Sequence, residues 1–256
     1  MSIIEGRVVS QSYETIFDQG RHPKGKIGFV LLATEQTIID DMVTLIPKGV
    51  GIHFARVNIP DSITNESLAE TAPDLTRAAK TILPDGSLDV ITYACTSGSL
   101  VIGEDRVHEL LNIGAPNARA SCIIAAVVRA LNAVNAKRIV VATPYLDEVN
   151  TAELEYLQAA GFNTLEFEGL NLEKDSDMVR VAPEFIRDMA IDLDRPDADA
   201  IFISCGALRS IDVIQEIEDH CNKPVITSNQ AMAWDALRLA GINDKVAGYG
   251  RLLTMF

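Results

Sequence analysis

Residues 89–95 read Asp-Val-Ile-Thr-Tyr-Ala-Cys, and residues 199–205 read Asp-Ala-Ile-Phe-Ile-Ser-Cys. Both stretches follow the pattern Asp-x-Ile-x-x-x-Cys, and they lie 110 residues apart. In each, a short apolar run rich in β-branched and aromatic residues predicts a buried parallel strand that ends just before the cysteine. Open α/β sheets bind their ligands at the carboxyl ends of such strands. The two stretches therefore predict a site built between two similar halves.

A similar offset recurs on both sides of these stretches, which indicates a duplicated domain. Ile27 matches Ile139 at an offset of 112 residues, and Ser121 matches Ser228 at an offset of 107. This spacing is too long for a solenoid, whose repeats span about 20–50 residues. We expect an α/β fold of two pseudo-symmetric Rossmann-like halves, each a four-stranded parallel sheet flanked by helices, with the active site in the cleft between them.

The division between the halves follows from this repeat. The first half is predicted to comprise residues 1–118 plus 226–256, and the second half residues 119–225. Residues 1–24 show no clear periodicity, and we expect them to form an arm ahead of the first strand. Residues 245–256 are expected to return to the first half as an added strand.

Charge and composition limit the possible partners. The 256-residue chain is 48% hydrophobic, enough for a real core, and its 22 basic and 36 acidic residues give a net charge of −14. This balance argues against nucleic acid and anionic membranes as partners. The chain has no apolar run of membrane-spanning length and no secretory leader pattern, so we expect a cytoplasmic protein. Its four cysteines and four histidines lack metal-ligand spacing, so no metal is predicted.

Two thiols at equivalent strand ends can carry out acid–base or nucleophilic chemistry. A cysteine between a buried strand and a helix can have its thiolate stabilised by backbone N–H groups, which would bring its pKa below about 8.5. Across a small cleft, Cys95 and Cys205 would then supply a base or nucleophile and a matching acid. Thr96 and Ser97 fit a cradle for a carboxylate whose charge grows during the reaction. The alternative is that either cysteine is a small buried apolar residue, as we expect for the other two cysteines.

Four motifs carry a family resemblance. They are Tyr-Ala-Cys-Thr-Ser-Gly-Ser at residues 93–99, Thr-Pro-Tyr at 143–145, Ser-Cys-Gly-Ala-Leu-Arg-Ser-Ile-Asp-Val-Ile at 204–214, and Pro-Val-Ile-Thr-Ser-Asn-Gln-Ala at 224–231. Together they resemble the maleate cis-trans isomerases, which belong with the arylmalonate decarboxylases in the aspartate/glutamate racemase superfamily. The likeness covers roughly residues 24–250.

This resemblance implies a reaction at the two cysteines that needs no cofactor and no metal. Cys95 matches the nucleophile that adds to the double bond of a cis-enedioate, and Cys205 matches the second cysteine, which handles a proton on the opposite side. Tyr145 matches a tyrosine that binds a substrate carboxylate. The other substrate-binding residues implied are Thr96, Ser97 and Gly206. A homodimer is the expected assembly, and the presence of Cys95 argues against the decarboxylases, which keep only the second cysteine.

Three further residues are candidates for the site. Glu35 stands at or beside a position where the isomerases have Asn, so it would repel a substrate carboxylate, pair with an ammonium or amide on the substrate, or lie solvated in its loop. Its loop is similar to that of a branch associated with ectoine breakdown. Arg209 could face a substrate carboxylate or anchor the two halves through an ion pair. Asn229 could cap the helix it begins or present its amide to the cleft.

Three classes of function remain open. The first is a cofactor-independent cis-trans isomerase of a small unsaturated mono- or dicarboxylic acid. The second is a two-cysteine racemase or epimerase, or a decarboxylase, acting on an amino acid or an ectoine-derived metabolite. The third is a non-enzymatic binding protein, in which replacement of either cysteine would leave ligand affinity unchanged. The expected partner is a small carboxylate, with no nucleic acid and no membrane.

Overall fold

Two parallel sheets and their helices form the framework of the protein, and the computed structural model describes residues 2–4, 7–10 and 12–256. The strands are β1 (Ser2–Ile4), β2 (Arg7–Val9), β3 (Gly25–Leu32), β4 (Val50–Val57), β5 (Val90–Tyr93), β6 (Arg119–Cys122), β7 (Arg138–Thr143), β8 (Asn163–Gly169), β9 (Ala200–Ile203) and β10 (Val225–Thr227). The helices are α1 (Ile38–Leu45), α2 (Asn65–Ala69), α3 (Ala72–Thr81), α4 (Thr96–Ile102), α5 (Glu104–Gly114), α6 (Ile123–Ala133), α7 (Asp147–Ala159), α8 (Asp175–Met178), α9 (Pro183–Leu193), α10 (Ile214–Cys221), α11 (Ser228–Leu239) and α12 (Leu252–Met255).

The two large sheets share one topology, which confirms the predicted fold class. The first has the order β4-β3-β5-β6 and the second the equivalent order β8-β7-β9-β10, and every neighbouring pair in them is parallel. The repeat extends to the register, since Ile27 pairs with Val90 and Ile139 pairs with Ala200. The fold is therefore a duplication of one four-stranded α/β unit.

The aspartate that opens each repeated stretch has a structural role. The Asp89 carboxylate accepts a hydrogen bond from the Lys26 N–H at 2.8 Å, and the Asp199 carboxylate accepts one from the Arg138 N–H at 2.8 Å. Each therefore satisfies a backbone donor at the start of the neighbouring strand. The strands that follow are fully buried, so each delivers its cysteine to the carboxyl edge of its sheet.

The last helix of each repeat holds the two halves together. Helices α6 and α11 pack against each other, α6 also contacts β10, and α11 contacts β5 and β6. Between these helices Arg129 forms an ion pair with the buried Asp235 at 2.5 Å, and the Ser121 hydroxyl donates to the same carboxylate at 2.8 Å. This junction brings the carboxyl edges of both sheets to one side of the interface.

Three expectations concern the ends of the chain and the division into halves. Residues 245–256 form no added strand; they contain α12, because Gly248 and Gly250 have φ values of 91° and 83° that interrupt an extended course. In the N-terminal segment β1 pairs with β2 in antiparallel fashion, whereas residues 1, 5, 6 and 11 of the predicted arm lie outside the described residues. The division at residues 118 and 225 stays a prediction, since sheet pairing alone does not define a folding unit. Every helix in the described part of the chain is too short or too polar to span a bilayer.

Candidate active site

Cys95 lies between β5 and α4. The strand ends at Tyr93 and the helix begins at Thr96, so that Cys95 takes the N-cap position. Its sulfur accepts a hydrogen bond from the Gly98 N–H at 3.2 Å, a bond that an N-cap residue normally accepts through oxygen. The Ser97 hydroxyl lies 3.6 Å from the same sulfur. A side chain at position 98 would collide with the Tyr93 hydroxyl and crowd the Cys95 sulfur. Glycine at this position therefore allows its N–H to reach the thiol.

Cys205 takes the equivalent place after β9, but its backbone is strained. Its φ angle is 98°, a conformation that side chains rarely adopt and that costs roughly 1–3 kcal/mol. The sulfur accepts a hydrogen bond from the Ala207 N–H at 3.3 Å, and the Cys205 N–H donates to Ser228 Oγ at 3.0 Å. Strain of this kind clusters at functional sites, where the surroundings hold it in place.

The hydroxyl of Ser228 joins the two cysteine loops. Its oxygen accepts one hydrogen bond from Thr96 Oγ1 and another from the Cys205 N–H, each at 3.0 Å. Ser228 is the first residue of α11 and is fully buried. In the sequence Ser228 appears as a match of Ser121 in the repeat and as part of the motif at residues 224–231. Neither pattern predicts that its hydroxyl joins the two cysteine loops.

Replacement of Ser228 by alanine is expected to loosen both loops. The change leaves the buried Cys205 N–H and the Thr96 hydroxyl without their acceptor, which costs about 1–3 kcal/mol of unfolding free energy. Because the strained Cys205 is then less firmly held, we expect turnover to fall more than substrate affinity. Urea denaturation and steady-state kinetics measure the two effects. Ser87→Ala, at the opposite end of the first sheet, is the control; equal kinetic losses in both variants would contradict the bridging role.

The two thiols line one small cavity at the interface between the halves. Its volume is about 30 Å³, which is room for a few waters and far below the roughly 150 Å³ of an engineered cavity that binds benzene. The sequence-predicted residues that line it are Glu35, Cys95, Thr96, Ser97, Tyr145, Cys205 and Gly206. A four-carbon acid is larger than this space, so its binding requires the cavity wall to widen.

Burial keeps both thiols protonated at neutral pH, in contrast to the expected low pKa. Burial raises the pKa of Cys95 to about 11, and the hydrogen bonds from Ser97 and the Gly98 N–H offset only part of that effect. Burial is also the main cause that raises the pKa of Cys205, and the negative charge of Asp175 raises it further. The predicted stabilisation by backbone N–H groups exists, but desolvation outweighs it.

The raised pKa of Cys95 predicts a steep pH dependence of its alkylation. Only the thiolate reacts, so the rate with iodoacetamide should rise about tenfold per pH unit between pH 7 and 10. It should level off only near pH 11, where the pKa of Cys95 lies. Peptide mapping by mass spectrometry separates Cys95 from the other cysteines, and glutathione is the reference thiol. A plateau below pH 9 would show that the loop stabilises the thiolate after all.

Tyr145 lines the cavity from the second half and is held by its own loop. The Asn150 amide donates to the Tyr145 carbonyl at 3.1 Å, and the Tyr145 N–H donates to Thr143 Oγ1 at 3.3 Å. The Tyr145 hydroxyl hydrogen-bonds to the Cys205 thiol, which lowers the pKa of that thiol. The Thr-Pro-Tyr motif therefore places a hydroxyl beside the second cysteine.

Glu35 is buried in the cavity wall, so the interpretation as a solvated loop carboxylate is wrong. It is 5% exposed, and its Oε1 accepts hydrogen bonds from the N–H groups of Thr37 and Ile38 at 2.6 and 2.7 Å, at the start of α1. Its Oε2 is buried and has no hydrogen-bond partner among the described residues. Burial is the main cause that raises the pKa of Glu35.

Asp175 is a second buried carboxyl in the same cavity, and sequence reasoning missed it. It is the first residue of the short helix α8, in the connection that follows β8. That connection reaches the first half because Ser62 and Lys174 form an isolated antiparallel bridge and the Asp175 N–H donates to the Asp61 carbonyl at 3.0 Å. The Asp175 carboxylate accepts from Thr34 Oγ1 at 2.5 Å. In the sequence, only its position after the predicted strand that ends near residue 169 points to the site. The long loop between that strand and Asp175 makes this position impossible to assign.

Two predicted site residues lie outside the cavity wall. Arg209 is exposed and does not line the cavity. Its guanidinium donates to the Val181 carbonyl at 3.0 Å within its own half, and among the described residues it forms no ion pair that would anchor the halves. Asn229 is fully buried, and its amide donates to Asp41 Oδ2 at 2.7 Å and to the Gly206 carbonyl at 2.8 Å.

Asn229 does not cap α11 because Thr227 does. The Thr227 hydroxyl accepts from the Gln230 N–H, and the Gln230 side chain accepts from the Thr227 N–H in return. This reciprocal capping leaves the Asn229 amide free to bind the Gly206 carbonyl, next to Cys205, and Asn229 is not among the residues that line the cavity. In the described part of the chain, no group of three or more His, Cys, Asp or Glu side chains is placed to hold a metal ion.

Comparison with known proteins extends these observations. Residues 43–253 match the family model described as arylmalonate decarboxylase. A maleate isomerase of Nocardia farcinica is 28% identical over 240 residues, which cover 89% of this chain and 95% of that protein. An arylmalonate decarboxylase of Bordetella bronchiseptica is 35% identical over 130 residues, which cover 50% of this chain and 54% of that protein.

A solved structure shows a similar arrangement of the whole chain. A mutant of the Nocardia farcinica maleate cis-trans isomerase, in which serine replaces a cysteine, contains a covalently bound succinylcysteine intermediate. It superposes with a TM-score of 0.83 at 25% identity, covering 91% of this chain and 99% of that one. The resemblance drawn from the four motifs is thereby confirmed.

Proposed function

The chain belongs to the arylmalonate decarboxylase family, and we propose that it is a cysteine-dependent cis-trans isomerase of a small unsaturated carboxylic acid. The observation that carries the proposal is the pair of buried thiols that line one cavity between equivalent halves. The similar protein with a succinylcysteine intermediate supports covalent chemistry at one of two cysteines.

In the proposed mechanism Cys95 is the nucleophile. Its proton is lost to water before the reaction, and the thiolate sulfur forms a bond to one alkene carbon. The electron pair of the double bond moves to the neighbouring carbon and into the attached carboxylate. The Cys205 thiol then delivers its proton to that carbon, and the carbon–carbon bond becomes a single bond.

Rotation about this single bond and reversal of the two steps complete the cycle. The Cys205 thiolate takes the proton back, the carbon–sulfur bond breaks with its electrons returning to Cys95, and the double bond forms again in the trans geometry. The Ala207 N–H, which donates to the Cys205 sulfur at 3.3 Å, stabilises the Cys205 thiolate formed on the way. For carboxylate binding we propose Tyr145, Ser97 and the backbone at Gly206, because the Thr96 hydroxyl already donates to Ser228.

Proton NMR tests the reaction directly. A panel of small cis-2-enoic acids, with maleate among them, is incubated with the protein, and the signals of the trans isomers are followed with time. We expect conversion of at least one member without any added cofactor. If no member is converted over background, the isomerase proposal fails.

Arylmalonate decarboxylation is disfavoured by the presence of Cys95 in the cavity wall, since the resemblance implies that the decarboxylases keep only the second cysteine. We expect no release of carbon dioxide from phenylmalonate. Detectable decarboxylation would show that a thiol at position 95 is compatible with that reaction.

A two-cysteine racemase or epimerase is the second candidate. The observation that favours it is the equivalence of the thiols: each is buried, protonated, and held by a single backbone N–H, from Gly98 at Cys95 and from Ala207 at Cys205. Such a pair can exchange a proton on opposite faces of a carbon acid. Exchange of an α-proton for deuterium in heavy water would identify this activity, and its absence across acidic amino acids would remove it.

A further inference from the structure

The cavity that holds the two thiols also holds two carboxyl groups and no basic side chain. Among its described lining residues are Glu35 and Asp175, but no Lys, Arg or His. Both carboxyls are nine-tenths or more buried, each with about 5% of its surface exposed. Burial raises the pKa of both carboxyls, so a charged partner from outside decides how readily they ionise. A substrate that enters this space therefore meets two carboxyl groups and, among the described residues of the wall itself, no Lys, Arg or His.

Glu35 is held so that one oxygen is left for a ligand. Its Oε1 accepts two backbone hydrogen bonds, from Thr37 and Ile38, which favour the ionised form of the carboxyl. Its Oε2 is buried without a partner. The nearby Arg56 guanidinium donates to the carbonyls of Leu32, Ala33 and Glu35. Its positive charge lowers the pKa of Glu35 somewhat, but it leaves Oε2 without a hydrogen bond. An unpaired buried carboxylate oxygen in a cavity wall is a position prepared for a donor from outside.

Asp175 is close enough to act together with Glu35 and with the thiols. Its charge raises the pKa of Glu35, of Cys95 and of Cys205. The Thr34 hydroxyl fixes one of its oxygens. Glu35 comes from the first half and Asp175 from the second. Assembly of the halves therefore brings both carboxyls to the cavity that the two thiols line.

This arrangement separates the possible substrates by charge. A dianion such as maleate would bring two carboxylates to a wall that already contains two carboxyl groups. Formation of the Cys95 thiolate would place one more negative charge in the same desolvated space. A substrate with a cationic nitrogen at one end would have the opposite effect, since it would pair with the carboxyls and remove the charge that opposes the thiolate. Charge-assisted hydrogen bonds of this type are the strong ones.

We propose that the substrate is a short unsaturated acid with a single carboxylate and a cationic nitrogen at its other end, and that Glu35 and Asp175 bind that nitrogen. This inference rests on the proposed function, since it names the substrate class of the same site. It assigns Glu35 and Asp175 as specificity-determining residues. The carboxylate of the substrate lies toward Tyr145, and the alkene lies between the two sulfurs.

Three probes of similar length separate the charge requirement from shape. They are cis-γ-aminocrotonate, which is a zwitterion, maleamate, which has a neutral amide, and maleate, which is a dianion. Binding is measured by calorimetry on the Cys95→Ser variant, which cannot turn the probes over. We expect cis-γ-aminocrotonate to bind about tenfold to a hundredfold more tightly than maleate, the usual weight of one charge-assisted contact, with maleamate between them.

Two substitutions in the same background test the residues. Glu35→Gln and Asp175→Asn keep the shape and one accepting oxygen each but remove the charges, so together they should reverse the preference in favour of maleate by about tenfold or more. Asp177→Asn, an exposed residue on the same short helix as Asp175, is the matched control and should leave the preference unchanged. Circular dichroism confirms that each variant is folded.

The outcomes separate this inference from the isomerase proposal. If maleate binds as tightly as the zwitterion, or if the preference survives in the double variant, the assignment of a cationic substrate is wrong, whether or not cis-trans conversion occurs. If the zwitterion binds selectively through Glu35 and Asp175 but wild-type protein forms no trans isomer from it, the substrate class stands and the isomerase reaction fails.

Discussion

Replacement of Cys205 by serine is expected to slow turnover strongly and to leave the substrate attached to Cys95. In this variant the serine hydroxyl donates the proton to carbon, and water at once returns a proton to the alkoxide that is left. No base then remains at position 205 to take the proton back from carbon, so the covalent adduct persists. We expect turnover to fall by about 10²–10⁴-fold, the usual range for loss of a positioned acid–base group. Intact-protein mass spectrometry should show the added mass of the substrate, and peptide mapping should place it on Cys95.

Two matched variants make this result specific. Cys95→Ser removes the nucleophile, so it should lose turnover without gaining any adduct. Cys221→Ser changes a half-buried thiol on α10, outside the cavity, and should behave like the wild type. An adduct on Cys205 in the Cys95→Ser variant would reverse the roles of the two thiols. Unchanged turnover in Cys95→Ser would show that Cys95 takes no part in the reaction and would require a different mechanism.

The fold and the position of both thiols could be predicted because the signals that fix them are local and occur twice. Each repeated stretch contains an aspartate that satisfies the neighbouring strand and an apolar run that is buried on both faces. The cysteine that follows must then lie at the carboxyl edge of a parallel sheet. No knowledge of the rest of the chain is needed for that step.

The remainder of the site could not be predicted, because it depends on contacts between the halves. Asp175 reaches the cavity through a bridge between two loops that are far apart in the sequence, and nothing near it marks this contact. Ser228 and Asn229 are adjacent on α11, yet one bridges the cysteine loops and the other supports the Gly206 carbonyl from outside the cavity. The pKa of the Cys95 thiol is raised because the thiol is buried, and the degree of burial cannot be read from the sequence motif.

Replacement of the buried Glu153 by glutamine is expected to change how the free energy of unfolding depends on pH. This glutamate lies on α7, is fully buried, and accepts one hydrogen bond from Ser204 Oγ at 2.6 Å, while its Oε2 has no partner among the described residues. Burial raises its pKa from 4.5 to about 7. Between these two values the folded state binds a proton that the unfolded state has lost, so the stability contributed by Glu153 is full below pH 4.5 and falls as the pH rises toward 7.

Glu153→Gln removes this titration and should therefore gain on the wild type as the pH rises. From pH 5.5 to 8 the difference in unfolding free energy between variant and wild type should move by about 2 kcal/mol in favour of the variant. Urea denaturation at both pH values measures it, and Glu155→Gln, at an exposed position of the same helix, should show no such change. Taking the difference between variant and wild type cancels the other carboxyls with raised pKa values, so a constant difference would mean that Glu153 is ionised in the folded protein. The contact between α7 and the residue before Cys205 would then have to admit water, and the cavity beside it could not be as dry as the raised thiol pKa values require.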